Sequence, residues 1–172
     1  MTVTVAGGAD TRALGARLAK LLRAGDLIVL SGGLGAGKTT LTQGIGVGLG
    51  VRGAVTSPTF VIARVHPSEV GGPALVHVDA YRLGGSADVT AEIDGLDLDA
   101  SLEESVTVVE WGEGMVEELT EDRLEIAIAR DPVGADALAE SPTDFAGDEV
   151  RTIAVTGIGA RWAGVALDAP AG

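Results

Sequence analysis

The segment Gly32-Gly33-Leu34-Gly35-Ala36-Gly37-Lys38-Thr39 constrains this chain more than any other, because it fits the pattern G-x-x-x-x-G-K-[ST] at every fixed position. Four glycines in six residues let the backbone curl until several N–H groups point at one anion, and a helix beginning directly afterwards adds its positive end. The flanks have the required sense. Leu27-Ile28-Val29-Leu30 is an apolar run suited to a buried strand, and Lys38 to Leu49 reads as a helix despite Gly44, Gly46 and Gly48. Chance is a poor account of the lysine: ten of the twelve basic residues are Arg, and only Lys20 and Lys38 are lysines. In such a loop Lys38 reaches the β- and γ-phosphates of a nucleotide, and the Thr39 hydroxyl binds Mg²⁺. The order strand, glycine loop, helix predicts a three-layer α/β P-loop NTPase fold, with helices flanking a mainly parallel sheet.

The remaining pattern fills out that sheet. Asp10-Thr11 precedes Leu14, Leu18, Leu21 and Leu22 at helical spacing, which predicts a helix over 11–24. Thr59 to Val65 and Ala74 to Val78 read as strands around a turn holding Pro67, Gly71, Gly72 and Pro73, and Val106 to Val109 reads as another. Arg123 to Arg130 alternates as a strand, and Val150 to Thr156 could pair with it across the loop 131–149, giving a C-terminal antiparallel extension. The acidic stretch from Ser86 to Glu104 reads as a broken helix and loop. At 172 residues, with no repeat or linker, the chain is expected to form a single domain, 1–172.

A phosphate loop needs an acid near its metal, at the C-terminal end of a neighbouring strand. Two stand in that context: Asp79 closes Ala74-Leu75-Val76-His77-Val78-Asp79, the Walker B pattern, and Glu110 closes Val106-Thr107-Val108-Val109-Glu110. The pattern does not separate their roles. His77 interrupts the first strand and reads as a core or interface residue rather than a ligand. Ser57-Pro58-Thr59 lies between the loop helix and the next strand, where nucleotide switches keep a segment that senses the γ-phosphate. Its hydroxyls can donate to phosphate or bind metal. Trp111 fits a buried core ring as well as one facing a nucleotide or partner, and Trp162 reads as packing.

Composition narrows the class further. The chain has no Asn, so it cannot supply the Asn-Lys-x-Asp base-recognition element of Ras-type GTPases, and an adenine nucleotide is expected. From Leu83 to Asp122 forty residues include no Lys or Arg but 13 Asp or Glu, a poor lid for a kinase acting on an anionic acceptor and a possible dock for a basic partner. A net charge of −13 repels nucleic acid phosphates. Without Cys there is no disulfide or thiolate site. No apolar run is long enough for a membrane span, and Met1 to Asp10 lacks a signal-peptide pattern, so a cytoplasmic protein is expected.

Four motifs together resemble the TsaE (YjeE) family. They are Leu34-Gly35-Ala36-Gly37-Lys38-Thr39-Thr40, Ser57-Pro58-Thr59-Phe60, His77-Val78-Asp79-Ala80-Tyr81-Arg82-Leu83 and Val109-Glu110-Trp111, in order and at similar separations over about residues 10 to 130. The resemblance implies a Mg²⁺-dependent ATPase that works with the TsaB and TsaD proteins to form threonylcarbamoyladenosine at adenosine 37 of tRNAs reading ANN codons, touching tRNA only indirectly. It implies ATP held by Gly32, Leu34, Gly35, Ala36, Gly37, Lys38, Thr39 and Thr40, with Ser57, Thr59 and Asp79 beside it and Arg151 matching a family Arg near the nucleotide. It assigns metal to Thr39 and Glu110 and matches Asp79 to the Walker B acid; the residues themselves point to catalysis by Lys38 on the phosphates, with Asp79 or Glu110 orienting water. Gly33 departs from the family, which commonly has Asp there. A nucleotide-gated interaction module with little hydrolysis, or a small-molecule kinase, are the competing expectations.

Overall fold

The computed structural model of the chain describes residues 1–56, 63–80, 103–114, 116, 120–130 and 149–167. Its elements run β1 (Thr2–Val5), α1 (Gly8–Ala19), β2 (Leu27–Ser31), α2 (Lys38–Leu49), β3 (Ala63–His66), β4 (Ala74–Asp79), β5 (Ser105–Glu110), β6 (Arg123–Arg130), β7 (Arg151–Ile158) and a 3-10 turn, Ala160–Trp162. The strands form one sheet in the order β1-β7-β6-β2-β5-β4-β3. The central pairs β6–β2, β2–β5 and β5–β4 are parallel, as expected of the α/β core. The outer pairs β7–β6, β1–β7 and β3–β4 are antiparallel, so the antiparallel extension foreseen at the C-terminus has a counterpart on the opposite edge.

Strand parity explains the composition of the centre. Ile28, Leu30, Leu75, Val106, Val108 and Ile126 share a core with Leu14 and Leu18 of α1 and Leu41 and Ile45 of α2. Leu27, Val29, Val76, Val78 and Val109 alternate with them and are buried too. A strand closed on both faces has no polar side to show, which is why these segments read as unbroken apolar runs. The two helices meet closely through glycine: a Cβ on Gly44 would strike the Arg12 carbonyl, and one on Gly15 would strike that of Leu41. The helix-weakening glycines of α2 therefore serve its packing.

One expectation needs correction, one strand is new, and two expected elements reach outside the described residues. Helix α1 spans Gly8–Ala19 rather than 11–24: Thr11 lies within its first turn, its hydroxyl donating to Gly7 O at 2.8 Å, and Leu21 and Leu22 close the core from the turn that follows. Strand β1 was not expected, because four alternating residues carry too little pattern and its partner β7 lies at the other end of the chain. Strand β3 starts at Ala63, residues 59–62 lying outside the described ones, as does the segment 86–102 expected to be a broken helix. Trp162 packs in the core as expected, stacked under Arg161, whose guanidinium bonds Asp26 at 3.0 Å and closes the sheet end remote from the glycine loop.

Candidate functional site

The glycine loop leaves β2 at Ser31 and enters α2 at Lys38, with Gly37 as N-cap at φ 113°, a left-handed conformation that favours glycine. No side chain caps this helix end, so its first N–H groups are left for a ligand. Lys38 is buried, and its Nζ donates to Gly32 O at 2.8 Å and Gly33 O at 3.1 Å beneath the Trp111 ring, 3.6 Å from the ring centre. Burial lowers the Lys38 pKa, and the charges of Glu110 and Asp79 oppose that shift. Trp111 holds a left-handed φ of 63° while its N–H donates to Leu30 O at 3.1 Å, a strain of about 1–2 kcal/mol for a residue with a Cβ.

Register brings the two acids together. In the parallel β4–β5 pair Asp79 stands opposite Glu110, at the strand ends facing α2. The Thr39 hydroxyl donates to Glu110 Oε1 at 2.9 Å. His77, two residues before Asp79 on the same face, is fully buried, and its Nε2–H donates to the same oxygen at 2.8 Å. On the other flank, Arg130 and Arg151 pair in register across β6 and β7. Arg151 Nε donates to Ala36 O at 3.0 Å and Arg130 Nε to Gly35 O at 3.0 Å, with Glu149 bonded to both arginines.

Between the flanks opens a cavity of about 760 Å³, the size of a small-ligand site. Leu34 to Thr40, Asp79, Glu110 and Trp111 line it. Nine of the residues expected at the site thus share one cavity: Leu34, Gly35, Ala36, Gly37, Lys38, Thr39, Thr40, Asp79 and Glu110. Gly32 lies beneath, its carbonyl accepting from Lys38. Arg151 stands behind the loop, on its backbone rather than on the cavity wall. Ser57 and Thr59 lie outside the described residues. Arg130 is absent from the residues expected at the site, and His77, expected as a core or interface residue, is buried as expected but also bonds Glu110. Alternation was the available signal for the latter, since it places residue 77 on the face of Asp79.

The donor set suits a hard cation shared with phosphate. Thr39 and Glu110 already meet at hydrogen-bond distance, and among the described residues no cluster of three or more His, Cys, Asp or Glu could cage a metal by itself. Mg²⁺ takes one or two protein oxygens and completes its shell with phosphate and water.

The family model for the threonylcarbamoyl adenosine biosynthesis protein TsaE matches residues 5–136. A Streptomyces coelicolor protein called tRNA threonylcarbamoyladenosine biosynthesis protein TsaE is 68% identical over 152 residues, 88% of this chain and 93% of its own. A Bacillus subtilis protein of the same name is 35% identical over 154 residues, 89% of this chain and 83% of its own. The crystal structure of Bacillus subtilis YdiB superposes with a TM-score of 0.69 at 30% identity, covering 95% of this chain and 88% of that one. With the family pattern running through the loop, both strand-end acids and most of the sheet, the chain belongs to the TsaE family of tRNA threonylcarbamoyladenosine biosynthesis.

Proposed function

We propose that this chain is a Mg²⁺-dependent ATPase subunit that acts in the cytoplasm with TsaB and TsaD, in forming threonylcarbamoyladenosine at adenosine 37 of tRNAs that read ANN codons. The observation that carries the reading is the convergence of Lys38, Thr39 and Glu110 on one cavity at an uncapped helix N-terminus. The loop amides and Lys38 bind and orient the phosphates, and Thr39 with Glu110 holds the cation. Mg²⁺, when bound, neutralises charge on the phosphates. Asp79 or Glu110, side by side at the strand ends, orients water. The charge of −13 leaves contact with tRNA to the partner proteins.

The test is Mg²⁺-dependent ATP hydrolysis by the purified chain, alone and with the TsaB–TsaD pair, against Lys38→Ala as blank. Strong stimulation by the pair is expected. ATP binding without hydrolysis in any combination would replace this reading with a nucleotide-gated interaction module, and transfer of phosphate to a metabolite would replace it with a kinase.

A further inference from the structure

We propose that His77 is the positioning residue for Glu110, fixing through its Nε2–H the carboxylate that serves the nucleotide's metal; this rests on the function proposed above. His77 is fully buried in the middle of β4, flanked on its own face by Leu75 and, across the register, by Val108. An imidazole there is costly to desolvate, and a leucine, as at position 75, would fill the place more cheaply. The ring has one use among the described residues: Nε2 meets Glu110 Oε1 at 2.8 Å, while Nδ1 has no hydrogen-bond partner among them. A ring with that single acceptor carries its hydrogen on Nε2.

The same oxygen also receives the Thr39 hydroxyl at 2.9 Å. Two donors, one on the sheet and one on α2, pin a side chain that would otherwise swing about three bonds at a strand end. Thr39 keeps its lone pairs for a cation while its hydrogen stays on Oε1. His77 therefore supplies the half of the clamp that does not itself touch metal or nucleotide, as the second partners of metal-binding carboxylates do.

The experiment uses the full chain as His77→Leu and His77→Gln, each also combined with Glu110→Gln. Manganese affinity of the ATP-analogue complex is read by electron paramagnetic resonance, and hydrolysis is read with the partner pair. His77→Leu should weaken Mn²⁺ binding and turnover about tenfold. His77→Gln, whose amide N–H can take the place of Nε2–H, should recover most of both, and in the Glu110→Gln background His77→Leu should cost nothing more. Equal losses in both backgrounds, or no loss in either, would overturn the assignment. Imidazole nitrogen spectra of the metal-free wild type give a readout independent of folding variants, with His66→Gln assigning the only other ring. Hydrogen on Nε2 of His77 is expected, and hydrogen on Nδ1 overturns the proposal. A wild type that binds no Mn²⁺–nucleotide would instead sink the ATPase reading, while the ring spectrum still reports on the clamp.

Discussion

On the β4–β5 side of the glycine loop, two carboxylates stand at adjacent strand ends and face the cavity; on the β6–β7 side, two guanidinium groups stand in register and face the loop backbone. The difference lies in what each side holds. Glu110 is held by others, through His77 and Thr39, so that its charge is presented at one place. Arg151 and Arg130 do the holding, each on a loop carbonyl. In a trans peptide the C=O and the following N–H point opposite ways, so a guanidinium on Ala36 O turns the Gly37 N–H away from the arginine. In the proposed function, the acids on one flank would shape the cation site, and the bases on the other would shape the anion site without entering it.

The comparison breaks most easily at Glu110. Glu110→Gln should lower ATP hydrolysis about 100-fold, the scale of losing one preorganised electrostatic group, while the urea unfolding midpoint stays near wild type. Wild-type turnover in that variant would leave the acid flank without its role. Arg151→Ala should act in the other sense. It removes a donor from the buried side of the loop and should cost about 1–3 kcal/mol of stability. Calorimetric titration should show nucleotide affinity falling about tenfold, and Arg151→Lys should restore little, since one ammonium cannot span the carbonyls of Ala36 and Glu149 in the same geometry. Unchanged affinity would make Arg151 a β7 packing residue only. Arg130, with its side chain 31% exposed and its Glu149 partner more so, should matter less: Arg130→Ala should change stability by under about 1 kcal/mol. A loss equal to that of Arg151→Ala would mean the two arginines act as one brace.

The two flanks were not equally legible in the sequence. Loop, helix and acids could be read because each is local: Lys38 and Thr39 sit at fixed offsets from Gly32, and Asp79 and Glu110 each end an apolar run. That the acids lie side by side needed the β4–β5 register, which no single segment contains. The arginine flank depends on non-local pairing throughout. Arg130 and Arg151 meet only because β6 and β7 pair across the segment between them, and nothing around either residue points to a carbonyl of Gly35 or Ala36. Strand β1 was missed for the same reason, its one strand partner among the described residues lying at the far end of the chain. His77 is the core residue its strand suggested, but its partner Glu110 lies on another strand, and the bond between them could not be read from the segment.

The smallest effect separates the flanks by pH. His66 on β3 is buried beside the acid flank, on the face it shares with His77, and its Nδ1 lies 3.4 Å from Arg52 O. Burial lowers its pKa from the ordinary value near 6.5, and the bond to the Arg52 carbonyl only partly opposes this. A base whose pKa is lower folded than unfolded binds more protons in the unfolded chain within that window. Stability is therefore full above about pH 6.5 and declines as pH falls from there toward the folded value. Guanidinium groups as a class do not lose their proton in this range. Urea unfolding midpoints measured from pH 7.5 down to pH 5.5 should fall for the wild type and fall less for His66→Gln, while Arg130→Ala keeps the wild-type slope. Parallel curves for wild type and His66→Gln would show that the acid flank owes none of its pH response to this imidazole.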